Sequence, residues 1–200
     1  MINISRLLKE NGIVYPGDPS FKIVEQQIAG YEGTKLRSAY QIFLTKNHHG
    51  THIDFPAHKI PSGKTSDFFP LDYFINMAVL LDKRDNKPLN YSTVTEKVGA
   101  VIIYTGDNMG YLTKEETNNL KNFKTLRMVG TDSLTIDKRG ANGASHRILL
   151  EKDILILEGL CNLEKVLETY GTGQFMLYAA PVAIQNTDGA PVRAFVGEAK

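Results

Sequence analysis

The sequence predicts an α/β chain: a single compact domain over residues 1–200, built on a mixed β-sheet flanked by a few helices. Three observations carry this. Two hundred residues is the size of one domain. The composition, 42% hydrophobic and 22% charged, supplies enough apolar material for a core. Short apolar runs rich in β-branched residues recur between turn residues, with few stretches of helical periodicity among them. No repeat, low-complexity tract or linker-like stretch interrupts the pattern.

In chain order, residues 21–29 and 36–44 mix apolar and polar side chains and read as half-exposed strands. Residues 77–82 and 100–105 are apolar runs ending at polar residues and Gly106, as buried strands do. A helix should open at Thr113, where Thr113-x-x-Glu116 forms a capping box ahead of Leu120 and Phe123. Residues 126–130 and 154–157 read as further buried strands, and 175–184 as a longer one. A second helix should include residues 146–152, and a third residues 163–170, stopped by Gly171. These patterns leave the order of strands in the sheet open.

Charge and cysteine content exclude several classes of function. Lys plus Arg number 23 and Asp plus Glu 22, a net charge of +1 that offers no field for nucleic acid or an anionic membrane. A single cysteine, Cys161, forms neither an intrachain disulfide nor a zinc–thiolate cluster. The first ten residues lack an apolar signal core and no apolar run is long enough to span a bilayer, so a cytoplasmic protein acting on a small molecule is expected. No G-x-S-x-G elbow supports a serine hydrolase, and Ser145 beside His146 is not a triad.

Four of the five histidines lie between His48 and His58, in His48-His49-Gly50-Thr51-His52-Ile53-Asp54-Phe55-Pro56-Ala57-His58. His48, His52, Asp54 and His58 share even parity, so in extended chain they start on one face, while Ile53 and Phe55 point the other way into a core. A fully extended chain would separate His48 from His58 by about 33 Å. The segment must therefore bend, and Gly50 and Pro56 are the residues that permit it. His49 is out of phase and reads as a loop residue.

Imidazole and carboxylate together suit Zn²⁺ or another divalent transition ion. His52 and Asp54 can converge on one ion, whereas His58, beyond the proline, is placed for acid/base work nearby. Glu158 ends an apolar strand, where an unpaired buried carboxylate would cost several kcal/mol unless a cation met it. Read alone, Glu158 is equally an exposed strand-end residue, and His146 a solvent-facing position early in a helix.

The segment His48-x-Gly50-Thr51-His52-x-Asp54-x-Pro56-x-His58 resembles the HxGTHxDxPxH signature of the cyclase family, which includes bacterial kynurenine formamidase (arylformamidase) and isatin hydrolase. Tyr15-Pro-Gly-Asp-Pro19 resembles its N-terminal aromatic-PGD motif, and Tyr104-Thr105-Gly106 its RTG strand end, with Tyr in place of Arg. Gly130-Thr-Asp132-Ser-Leu-Thr135-Ile-Asp137 resembles its GxDxxSxD segment, with Thr in place of Ser, and His146 and Glu158 keep its His-x11-Glu spacing. The resemblance runs from about residue 2 to about residue 196.

It implies a partly barrel-like sheet and a homodimer or larger homo-oligomer. It implies that His48, His52 and Asp54 hold one metal, that His146 holds a second, and that Asp54 and Glu158 bridge the two. His58 matches the proton donor/acceptor, and Tyr15 stands where an aromatic lies beside the substrate. The implied reaction is hydrolysis of an aryl formamide such as N-formylkynurenine, by water activated on one or two divalent ions, zinc first and manganese second. Opening of an isatin-like lactam uses the same parts, and a non-catalytic metal or small-ligand module is the alternative of another class. The chain has no tryptophan, so the indole common at that pocket is absent. The aromatics Tyr15, Phe21, Phe55, Phe68, Phe69, Tyr73 and Phe74 could wall a pocket or form core.

Overall fold

The computed structural model describes residues 1–28, 37–43, 46–106 and 110–199. Its main sheet has nine strands: β1 (Ile2–Asn3), β4 (His52–Asp54), β5 (Ile75–Asp82), β6 (Ala100–Tyr104), β7 (Met128–Thr131), β8 (Leu155–Glu158), β9 (Phe175–Tyr178), β10 (Gly189–Pro191) and β11 (Phe195–Glu198). A separate hairpin pairs β2 (Lys22–Ile28) with β3 (Arg37–Phe43), and the helices are α1 (Lys114–Lys121), α2 (Ala144–Leu150) and α3 (Leu163–Tyr170). Strand order is β1-β11-β9-β5-β6-β7-β8-β4-β10. The four central strands, β5 to β8, run parallel, and the flanking pairs are antiparallel. The sheet is therefore mixed, as the sequence predicts.

The central strands are apolar through their middles because both faces are covered there. Ala78 and Leu80 of β5 face one core with Ile102, Met128 and Leu157, closed by Leu163 and Val166 of α3. Val79 and Leu81 face the other, with Val101, Ile103 and Ile156, beneath Leu120 of α1 and Leu149 and Leu150 of α2. Beyond the ladder ends, Ser5 bridges to Leu160, Cys161 N donates to Ile4 O (3.0 Å), and Ser5 Oγ donates to Val192 O (3.4 Å). These links draw the two ends of the sheet together and curl it into a partial barrel.

Where boundaries shift, the cause is local. The apolar run at 175–184 leaves the ladder after Tyr178, because Pro181 has no N–H to offer and touches Val192 only through an isolated bridge. α2 begins before His146 because the Asp137 carboxylate accepts Ser145 N (2.7 Å) and His146 N (3.4 Å), capping the helix from outside it. β8 runs to Glu158 itself, one residue beyond the predicted strand. β2 and β3 form where the two strands are predicted, but residues 22–27 and 40–42 are exposed on both faces rather than half-exposed, because the hairpin pairs apart from the main sheet. The predicted ends at Ala29, Leu36 and Leu44 lie outside the described residues. Among the described residues no helix is long and apolar enough to cross a membrane.

The aromatics divide cleanly. Phe21, Phe55 and Phe74 are buried, Phe69 and Tyr73 pack on the core, and Phe68 is exposed. Of the set, Tyr15 alone lines the large cavity described next.

Candidate metal centre

The histidine segment is bent where its sequence allows. Gly50 has φ +61°, a conformation that favours glycine, and Pro56 opens a short 3-10 turn ending at His58. The bend is fastened to the sheet by Thr51, whose hydroxyl donates to Gly159 O (2.7 Å) and accepts Arg6 N (2.8 Å). Gly159 follows Glu158, so the fastening brings the histidine loop against the carboxyl end of β8. Pairing of β4 with β8 sets His52 opposite Glu158, while Ile53 and Phe55 point away into the core.

Asp54, fully buried, is the hub. Its Oδ1 lies 2.6 Å from His48 Nδ1 and 3.3 Å from His52 Nε2, and its Oδ2 lies 3.1 Å from His146 Nε2. Glu158 spans the same two sides, with Oε1 3.2 Å from His146 Nε2 and Oε2 3.7 Å from His52 Nε2. All five residues that the sequence reading nominates as ligands therefore meet. Single donor atoms of His52, Asp54 and Glu158 lie within 4.8 Å of one another, as do those of His48, Asp54 and His58. Position 146, for which solvent exposure was an equal reading, is buried.

The outer nitrogen of each nominated imidazole is held by an acceptor. His52 Nδ1 meets Gly50 O (3.1 Å), His146 Nδ1 meets Asp137 Oδ2, and His48 Nε2 meets Asp188 Oδ2 (3.2 Å). With protons on those outer nitrogens, the three inner lone pairs all face the Asp54 and Glu158 carboxylates. Lone pairs of imidazole and carboxylate oppose one another stably only around a cation. Asp54 Oδ2 is buried and has no hydrogen-bond partner among the described residues, although His146 Nε2 lies 3.1 Å from it. The donor set, with its orphaned oxygen, fits a divalent transition ion.

Electrostatics agree. Burial disfavours charge on His48, yet its hydrogen bonds to Asp188 and Asp54 outweigh that and raise its pKa to about 10. Burial likewise opposes charge on His52 and His146, and is outweighed by Asp54 for the first and by Glu158, Asp137 and Asp54 for the second, so both are raised. Asp54 is held well below the usual carboxylate range despite its burial, by the His146, His48 and His52 imidazoles that surround it. The pocket thus gathers positive charge as protons when no other cation supplies it.

His58 stands beside the cluster, its ring 4.2 Å from that of His48 and 5.7 Å from that of His146, with Nδ1 3.1 Å from Asp188 Oδ2. These residues floor an open cavity of about 660 Å³ whose rim includes Tyr15, Lys46, Lys59 and Lys138. Tyr15 lines this cavity and is 43% exposed. His49 is a loop residue, as read, but is buried away from the cluster.

Sequence reasoning gave no role to Asp137, Asp188 or Thr51. Asp137 lies within the Gly130 to Asp137 segment already singled out, so that segment was the available sign. Asn186-Thr187-Asp188-Gly189 reads only as turn chemistry and announces nothing.

A family model described as "Putative cyclase" matches residues 2–138. The chain is similar to a kynurenine formamidase of Geobacillus thermodenitrificans, 29% identical over 207 residues, covering 96% of this chain and 95% of the relative. It is similar also to one of Salinibacter ruber, 27% identical over 217 residues, covering 100% and 98%. Among solved structures, isatin hydrolase A from Labrenzia aggregata bound to benzyl benzoate superposes with a TM-score of 0.71 at 19% identity, covering 98% of this chain and 92% of that one. A potential metal-dependent hydrolase with cyclase activity gives 0.69 at 22%, covering 97% and 95%. At these identities the solved structures speak for the fold, the curled mixed sheet with its few helices.

Proposed function

The chain belongs to the cyclase family, and on that premise we propose that it is a metal-dependent amide hydrolase acting on an aryl formamide such as N-formylkynurenine. The observation that carries the proposal is the convergence of three inward-facing imidazoles on Asp54 and Glu158, beside a further histidine at the floor of an open cavity. His48, His52 and Asp54 would hold one ion, zinc first and manganese second, and His146 a second, with Asp54 and Glu158 between them. The two oxygens of Asp54 support that division, since Oδ1 faces His48 and His52 while Oδ2 faces His146. A divalent ion there supplies Lewis acidity, polarising a carbonyl oxygen and lowering the pKa of water to about 7.

The protein's own groups do the remainder. His58 has Nδ1 engaged by Asp188, which leaves Nε2 as the nitrogen that moves the proton. It takes the proton from the attacking water and delivers it to the amide nitrogen as the carbon–nitrogen bond breaks, giving formate and an aryl amine. Tyr15 at the rim offers a ring face to the aryl group. The formamidase relatives favour a formamide over a lactam. As the unit in solution we propose a homodimer or larger homo-oligomer, for which the hairpin offers exposed Ile23, Tyr40 and Ile42.

The test is hydrolysis of formanilides, lactams and esters by the loaded, stripped and reloaded protein. Formamide cleavage should vanish with the metal and return with Zn²⁺ or Mn²⁺. The His58→Ala variant should keep its metal and lose about 100-fold or more in kcat. Hydrolysis that survives complete metal removal defeats the proposal, and exclusive cleavage of lactams reassigns the substrate.

A further inference from the structure

The Asp188 carboxylate, on the short turn that leads into β10, touches two histidines with one oxygen. Its Oδ2 lies 3.2 Å from His48 Nε2 and 3.1 Å from His58 Nδ1. No other carboxylate contacts His58 among the described residues. The backbone holding Asp188 is fixed from both sides: Phe55 N donates to Asp188 O (2.9 Å), and Gly189 pairs across the ladder with Asp54. A Cβ on Gly189 would overlap the His48 ring. The Asp188–Gly189 pair is thus shaped around His48, with an acceptor at its outer nitrogen and bare backbone against its ring.

The chemistry of that shared oxygen is specific. Both imidazole nitrogens facing it must carry hydrogen for the contacts to be attractive. His48 then turns its Nδ1 lone pair toward Asp54, and His58 keeps Nε2 without a hydrogen-bond partner among the described residues. Those are the tautomers and orientations that a ligand and an acid/base group need, and one carboxylate imposes both. Removing it frees two rings at once.

We propose that Asp188 is a positioning residue that fixes His48 as a metal ligand and His58 as the acid/base group through a single carboxylate oxygen. The inference rests on the hydrolase reading above and adds to it a residue that contacts neither the substrate nor the ion.

The experiment uses Asp188→Asn and Asp188→Ala in the full chain, with far-ultraviolet circular dichroism to establish folding. Zn²⁺ affinity is read by competition with a chromophoric chelator, and kcat and KM on a formanilide are read at saturating Zn²⁺. Both variants should bind Zn²⁺ about 10-fold or more weakly, and lose about 10- to 100-fold in kcat with KM within about 3-fold. Asp188→Asn added to His58→Ala should cost little further kcat, because the group it positions is gone. Folded variants within about 2-fold of the parent in both affinity and kcat overturn the proposal, as does an undiminished loss on the His58→Ala background. A parent that neither binds Zn²⁺ nor cleaves any formamide overturns the hydrolase reading instead, so the two failures are told apart.

Discussion

Gly189 has no side chain where His48 needs the room, and the energetics of the centre turn on such single positions. The variant Gly189→Ala would push the His48 ring off its contacts with Asp54 and Asp188. Zn²⁺ affinity should fall about 10-fold while the sheet stays intact, as chelator competition and circular dichroism would show, and unchanged affinity would mean the ring adapts freely. Protonation gives a second test. With His48 raised to about 10, and His52 and His146 also raised, the metal-free protein holds protons that an incoming ion must displace. Each ligand proton released makes apparent affinity rise about tenfold per pH unit below the raised pKa, so Zn²⁺ binding should strengthen steadily from about pH 6 to about pH 8. A flat profile over that range would contradict the arrangement of inner lone pairs. Most of this site was legible because even parity along an extended chain is a local property: His48, His52, Asp54 and His58 could be aligned by counting. Asp188 could not, because its contacts span 140 and 130 residues.

At the scale of elements, α1 shows what a local pattern reveals and what it hides. Thr113 and Glu116 form the capping box that their spacing predicts, with Glu116 N donating to Thr113 Oγ1 (3.2 Å) and Thr113 N to Glu116 Oε2 (2.8 Å). The other oxygen of Glu116 meets the buried Lys83 ammonium at 2.5 Å, a partner 33 residues away that no spacing rule could supply. Thr113→Ala should cost about 1 kcal/mol, the ordinary value of a cap. Glu116→Ala should cost about 3 kcal/mol or more, because it also leaves Lys83 charged and buried without a counter-ion. Urea denaturation of both variants measures the difference, and Lys83→Met in the Glu116→Ala background should recover part of it. Equal losses in the two single variants would show that Lys83 reaches water. The same division between local and distant causes explains the strands. β5 to β8 were readable as buried because both faces are apolar, whereas the end of β9 depends on Pro181 meeting a ladder formed by distant chain.

For the whole molecule, the decisive step is the curl of the sheet. Strand order was not readable from periodicity, because pairing between β4 and β8, or β10 and β4, joins segments more than 100 residues apart. The partial barrel followed from the family resemblance. Yet that long-range pairing is what turns a histidine loop, a helix start and a strand end into one centre: His48, His52 and Asp54 arrive from one part of the chain, His146 from α2, and Glu158 from β8. Ions held among them would tie these segments together and bind the native state in preference to the unfolded chain, so they should stabilise the fold by mass action. At a free Zn²⁺ concentration about 1,000 times Kd the gain is about 4 kcal/mol. For a chain of this length that raises Tm by about 8–16 °C. Scanning calorimetry of the stripped and reloaded protein measures it. His146→Ala and His48→Ala should each reduce the shift, since each removes a side chain that would hold an ion. A Tm that ignores Zn²⁺ in the parent protein would mean the five side chains meet without holding an ion, and the metal-dependent chemistry would go with it.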